Sequence, residues 1–351
     1  MTRVIGVDPG TLSIDVCGLL DGHIYLDRSW PTAEALADPS AFVHLLTAAG
    51  PPDLIVGPSG YGLPLRWARE VTDDDLRLAF LASAGETGGI GGLRTLAGRL
   101  TQAGLPIVYV PGVIHLDTVP AHRKLNRVDL GTADKVCATV LGISQQCARR
   151  GHRPLGSCFI LLELGGAFTA GVAVQNGQIV DGVGGSSGPI GWRAAGALDG
   201  EVAFLAGSIT KSSLFQGGVA SLLEGTPEMA ALGYAAYVEG AVKTVRQLRC
   251  SVPEAEEILL SGRHAKNPEI RNRIAADLSD IGPLRLLSGS AAYAKQGAEG
   301  AALLADGLAG GANRDLVERL RIREARGTAL DHLIFVSPEE ARRRLGIRGQ
   351  D

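Results

Sequence analysis

VIGVDPGTLSIDV, residues 4–16, reads as an apolar strand that ends on an acid, a Pro-Gly-Thr turn, and the opening of a second apolar strand. Strands are predicted over 3–10, 13–20 and 23–30, the last two joined by Asp21-Gly22, a strong hairpin dipeptide. The pattern returns in the second half. ILLELGGAFTAGVAV, residues 160–174, again runs from an apolar strand through an acid and a Gly-rich turn into a second strand, and Asn176-Gly177 makes the next hairpin. Behind the first triplet come a helix over 40–49, strands at 53–57 and 106–110, and helices over 93–103 and 130–150. Behind the second come helices at 227–250, 268–280 and 297–309 with strands at 256–261 and 284–288. The same order twice implies two similar α/β lobes, each a mixed sheet with three antiparallel strands and flanking helices, with a cleft between them. The Gly- and Pro-containing GHRPLG at 151–156 marks the boundary, so an N-terminal lobe is expected over 1–154, with an insertion around 60–128, and a C-terminal lobe over 155–351.

Composition narrows the function. The 34 Lys and Arg against 37 Asp and Glu give a net charge of -3 without a basic run, which argues against nucleic acid or anionic lipid as partner. No uncharged apolar stretch is long enough to span a bilayer, and the chain enters a strand pattern at once; a cytoplasmic protein, with no membrane partner, is expected. Five cysteines, at 17, 137, 147, 158 and 250, contain no CxxC pair, so neither a disulfide framework nor a zinc site is expected and the thiols read as buried and inert. The 48 glycines are about twice the usual ~7% share and cluster at strand ends, where a ligand can approach the backbone.

Each Gly-rich turn offers an acid, backbone N–H groups and a hydroxyl. Such turns form anion-binding concavities, and their acids can hold Mg²⁺ through water. With these features the chain resembles the superfamily of acetate and sugar kinases, heat-shock chaperone ATPases and actin. VIGVDPGTLSIDV looks like its first phosphate motif, ILLELGGAFTAGVAV like its second, and EEILLSGRHAK, residues 256–266, like its adenosine motif. YAKQGAEGAALLADGL, residues 293–308, is similar to the helix that follows in butyrate-kinase-like members. NRVDLGTADKVCA, residues 126–138, is similar to a largely archaeal family distantly related to butyrate kinase. The resemblance implies two actin/ribonuclease-H-like lobes with an ATP cleft between them. It implies Gly10, Thr11, Ser13, Gly165, Gly166, Thr169, Ser261 and Gly262 as nucleotide-binding residues, and Asp8 and Glu163 as the acids facing Mg²⁺. The sequence departs from the pattern at Glu163, where His or Asp is usual, and at Ala167, which replaces the third Gly of the second turn.

Asp8, Asp134 and Arg193 are the candidate catalytic residues. Asp134 lies in the GTADK step at the start of the 130–150 helix, where type III pantothenate kinases carry a similar step with a catalytic Asp; an acid in a helix's first turn is also stabilising without any function. Arg193 closes GVGGSSGPIGWR, residues 182–193, in which Ser186 and Ser187 add hydroxyl donors for an anionic group. GETGGIGG at 85–92 reads as a mobile lid or an inert linker, and Lys211 as a substrate contact or plain loop, since its surroundings fail the Walker A pattern. His115, His122 and Arg123 fall just after a strand, where a lone histidine is more often structural than catalytic. The C-terminal stretch 314–346 reads as a solvated helix pair. The function expected is an ATP- and Mg²⁺-dependent kinase acting on a small-molecule acceptor, a carboxylate slightly preferred, in a protein that could form a homodimer. The alternative is an ATP-hydrolysing conformational switch, chaperone-like or enzyme-reactivating.

Overall fold

The computed structural model describes all residues except 11, 58, 83–88 and 348–351. The chain forms two compact units. One contains Met1–Val128, Thr132–Gly156 and Gly289–Asp351; the other contains Asp129–Gly131 and Ser157–Ser288.

The first unit holds β1 (Arg3–Pro9), β2 (Ser13–Leu20), β3 (His23–Pro31), β4 (Leu54–Val56), β5 (Arg66–Trp67) and β6 (Ile107–Tyr109), in the order β3-β2-β1-β4-β6-β5. The second holds β7 (Phe159–Leu164), β8 (Thr169–Gln175), β9 (Gln178–Val183), β10 (Ile258–Ser261) and β11 (Leu284–Leu286), in the order β11-β10-β7-β8-β9. Leaving aside the edge strand β5, the two sheets share one plan: an antiparallel triplet, β1-β2-β3 or β7-β8-β9, extended on the other side of its first strand by two parallel strands. Both hairpins carry a bulge in the second strand, and both dipeptides adopt the left-handed conformation that a tight hairpin turn needs, with φ of 48° and 81° at Asp21-Gly22 and 52° and 69° at Asn176-Gly177.

Alternate residues of the strands fill each core. Ile5, Val7, Ile14 and Val16 pack with Phe42, Leu96 and Tyr109 in the first unit; Ile160, Leu162, Ile258 and Leu260 pack with Tyr237, Val245 and Ile274 in the second. The helices Ala133–Arg150 and Pro227–Arg249 match the expected ones closely.

The chain departs from the expected division at its end, because Gly289–Asp351 belongs to the first unit rather than to a C-terminal lobe. The reason is the helix Gln296–Leu308, whose small residues admit direct backbone contact. A Cβ on Gly6 of β1 would lie 2.2 Å from Ala302 N, and one on Gly300 would lie 1.8 Å from Cys137 O. Any larger side chain would push the helix off β1. The expected solvated helix pair is half right: Leu316, Val317 and Leu320 of Arg314–Leu320 are buried, whereas Pro338–Arg344 buries nothing. Cys17 and Cys137 are buried as expected, but Cys147 and Cys158 are half-buried and Cys250 is exposed. No helix among the described residues is long and apolar enough to cross a membrane.

Candidate functional site

In the first unit the antiparallel register sets Asp8, near the end of β1, directly opposite Asp15 of β2. The turn between them closes through Gly10 N–H donating to Ser13 O at 2.9 Å, and the Thr32 hydroxyl holds Gly10 O at 2.7 Å. Two like charges opposed across strands are unfavourable and need a counter-charge. Lys295, at the N-cap of the helix Gln296–Leu308, supplies it: its Nζ lies 2.8 Å from Asp15 Oδ2 and donates to Ser13 Oγ at 2.8 Å. The first turn of that helix also packs on Asp8, since a Cβ on Gly297 would fall 2.5 Å from Asp8 Oδ2.

Asp134 completes the group from the first turn of Ala133–Arg150. It accepts from the Thr132 hydroxyl and from Lys135 Nζ. Burial works to raise this carboxyl, but the Lys135 charge and the Lys135 and Thr132 hydrogen bonds outweigh it and hold the group below its ordinary value. Asp8 goes the other way. Burial, helped by the charges of Asp134 and Asp15 and opposed by Lys295 and Lys135, pushes it up to about 7. One acid is thus committed to its charge while its neighbour sits near the point of titration, the arrangement that commonly marks a chemical site. Of the two lysines, only Lys295 escapes the sequence. Lys135 sits within GTADK, but Lys295 lies 280 residues from Asp15 in the chain, and only the fold brings them together.

The second unit builds its turn differently. Glu163 lies opposite Ala170 of β8 and, on its parallel side, in register with Ser261 at the end of β10. Gly165 N–H donates to Phe168 O at 2.9 Å, and Arg193 ties the turn down through its backbone N–H to Ala167 O at 3.1 Å and its Nε to Gly166 O at 3.2 Å. Gly262, at φ 92°, brings its backbone so close that a Cβ would lie 2.4 Å from Leu164 O. The Glu163 side chain folds along these glycines, its Oε1 3.5 Å from a Cβ position on Gly165. Beyond Gly262, His264 stacks on Trp192 with ring centroids 3.8 Å apart, and Tyr237 meets both rings edge-on. Burial foremost raises the Tyr237 phenol, with Glu163 adding to it against the Thr169 hydroxyl. Burial and Arg263 hold His264 down at about 4, so it is neutral at physiological pH.

The expected site residues therefore fall into two groups. Asp8, Gly10, Ser13 and Asp134 come together in the first unit, and Glu163, Gly165, Gly166, Thr169, Arg193, Ser261 and Gly262 in the second. Thr11 lies outside the described residues, as do residues 85–88 of the Gly-rich stretch 85–92, whose remainder opens the helix Gly89–Gln102. Ser186 and Ser187 serve a structural purpose: Ser186 donates from N and Oγ to Asp129 Oδ2, at 3.1 and 3.2 Å, and Ser187 Oγ donates to Asp129 O at 2.6 Å. His115 is buried against Gly112 O and held at about 4, chiefly by burial, which fits a structural role. His122 is exposed.

The fold is that of the acetate and propionate kinases. Acetate kinase from Entamoeba histolytica superposes with a TM-score of 0.59 at 11% identity, covering 80% of this chain and 87% of that one. Acetate kinase from Porphyromonas gingivalis gives 0.56 at 13% identity, covering 80% and 88%. A propionate kinase from Francisella tularensis gives 0.56 at 14% identity, covering 80% and 89%. At these identities the likeness establishes the fold. No curated protein matches the chain in sequence. Residues 6–335 match the family described as "Protein of unknown function (DUF1464)", and the chain belongs to that family.

Proposed function

We propose that the chain is an ATP- and Mg²⁺-dependent kinase for a small-molecule acceptor, with a carboxylate as the group phosphorylated. The observation that carries this reading is the repeated strand–turn–strand whose two copies end their central strands on Asp8 and Glu163, with Ser261-Gly262 in register beside the second. Both turns are tight enough to require glycine: a Cβ on Gly10 would meet Ser13 O at 2.6 Å, and one on Gly165 would meet Phe168 O at 2.9 Å. Gly-rich turns at strand ends let a phosphate chain approach the backbone closely. Gly10, Thr11 and Ser13 in the first unit and Gly165, Gly166 and Thr169 in the second would take phosphates, and Ser261-Gly262 the adenosine. Asp8 and Glu163 are the acids that would face Mg²⁺. A cation at either acid would also take ligands from phosphate and water.

When bound, ATP would supply the phosphoryl group and Mg²⁺ the neutralising charge; the chain's own residues would bind, orient and hold protons. Asp8 must give up its proton to meet the cation, which a value near 7 permits at physiological pH. Asp134, held below its ordinary value, is a weak base. That favours a carboxylate acceptor, already ionised and in need only of positioning and charge neutralisation. Arg193, anchored on the Gly166 carbonyl, is the guanidinium for the anionic groups of the second unit.

The test is ATP consumption against a panel of short carboxylates, sugars and polyols. Turnover stimulated by a carboxylate is expected. Hydrolysis indifferent to every acceptor would replace the kinase with an ATP-driven switch, and stimulation by a polyol or sugar alone would reassign the acceptor.

A further inference from the structure

We propose that Lys295 is the phosphate-binding cation of the first unit, a role that rests on the kinase reading but is carried by geometry of its own. Lys295 is far from a casual surface lysine. The five backbone amides that precede it are each taken up by a carboxylate of the same unit: Ser290 N and Ala291 N donate to Glu299 at 2.9 and 3.1 Å, and Ala292, Tyr293 and Ala294 donate to Asp27 at 2.6, 3.2 and 2.7 Å. Glu299 is itself buried in the helix that Lys295 caps. The chain leading to Lys295 is therefore pinned from two sides, and the lysine begins from a fixed point.

From there its ammonium reaches the Gly10 turn. Nζ would lie 2.8 Å from a Cβ on Gly10, and it donates to Ser13 Oγ, whose own proton goes to Asp15 Oδ2 at 2.9 Å. Its pairing with Asp15 is uneven. The Asp15 side chain is 1% exposed, with Oδ1 buried and without a hydrogen-bond partner, whereas the Lys295 side chain is 46% exposed. A lysine kept only to neutralise a buried acid would follow that acid into the core. This one holds the acid from the open side, with 46% of its side chain exposed. Lysine serves phosphates as a compact point charge without demanding a fixed orientation. An exposed cation held beside a glycine turn suits the terminal oxygens of a polyphosphate.

The direct variant, Lys295→Gln, would strand the Asp15 charge in the interior, so the informative protein is Asp15→Asn/Lys295→Gln, which removes both charges together. Binding of sodium tripolyphosphate and of ATP to the full chain is measured by calorimetry, beside the melting temperature. Loss of about tenfold or more in affinity for both ligands by a folded double variant is expected. Unchanged affinity overturns the proposal and leaves the kinase reading intact, because Lys295 would then be a counter-ion to Asp15 alone. If the wild type binds tripolyphosphate but not ATP, the nucleotide reading fails, and weakened tripolyphosphate binding in the variant still supports Lys295. If the wild type binds neither, both fail. Should the double variant not fold, amine labelling of the wild type decides. Saturating tripolyphosphate is expected to protect Lys295 from acetic anhydride, as read by mass spectrometry, and equal labelling with and without it overturns the proposal.

Discussion

The two strand–turn–strand motifs share topology, bulge position and hairpin geometry, yet they have become different kinds of site. Around Asp8 the neighbours are charged: Asp15 directly opposite, Asp134 and Lys135 from one helix, Lys295 from another. Around Glu163 they are small or aromatic: Ala170 opposite, Gly165 and Gly262 against the side chain, and the Trp192–His264 stack beyond. A repeated backbone places an acid at the same strand end twice, and the residues contributed from distant parts of the chain then decide what each acid can do. The first motif gathers charged side chains about its acid, the second small and aromatic ones.

The sharpest way to break this comparison is to neutralise the two acids in turn. Asp8→Asn is expected to lower Mg²⁺-dependent turnover on the order of 10²–10³-fold, the range seen when a group that stabilises developing charge is removed. Glu163→Gln is expected to cost about tenfold, equivalent to about 1.4 kcal/mol. Steady-state kinetics with Mg²⁺ varied reads both. Equal losses would mean that the two motifs share one task, and a larger loss at Glu163 would reverse their assignment.

Much of this contrast was legible in the sequence and part of it was not. The strands are readable because their alternating apolar residues and their Asp-Gly and Asn-Gly turns are local signals, and the acids at the strand ends are local too. The environment of each acid is not local. That Gln296–Leu308 packs on β1 depends on Gly6 and Gly300 being small enough for backbone contact. Such a contact leaves no mark at either position beyond a glycine in a glycine-rich chain. Lys295 was hidden for the same reason. Ser186 and Ser187 are the opposite case: their hydroxyls read as ligand donors, but the carboxylate and carbonyl of Asp129, nearly sixty residues away, take them first.

A second pair of variants separates the chemistry of the two regions. If the acceptor is a carboxylate, Asp134→Ala in the first unit is expected to lower turnover by less than about tenfold, because no base is needed. A hydroxyl acceptor would make the same change cost about 10²–10⁴-fold. Arg193→Ala in the second unit is expected to lower turnover with either acceptor if the guanidinium meets the transferring group, and chiefly to raise KM if it only binds. Kinetics on the acceptor found in the panel checks both, and two neutral results would remove these residues from the site.

The remaining effect is on stability, and it sharpens the comparison without any substrate. Burial, with help from Asp134 and Asp15, raises Asp8 from 3.8 to about 7 in the folded chain. Between those values the folded protein keeps a proton that the unfolded chain has released, so the folded state binds more protons there, and stability falls as pH rises through the window. Asparagine carries no charge at any pH and escapes this loss. Asp8→Asn should therefore match the wild type near pH 4 and exceed it at pH 8, by an amount on the order of a few kcal/mol at one pKa unit per ~1.4 kcal/mol. Urea unfolding of both proteins across that range measures the difference. Mg²⁺ should shrink it, because a cation beside Asp8 favours the ionised carboxylate and returns stability to the wild type alone. A difference that does not change between pH 4 and pH 8 would mean that Asp8 is an ordinary solvated acid, and the first motif would lose the feature that sets it apart from the second.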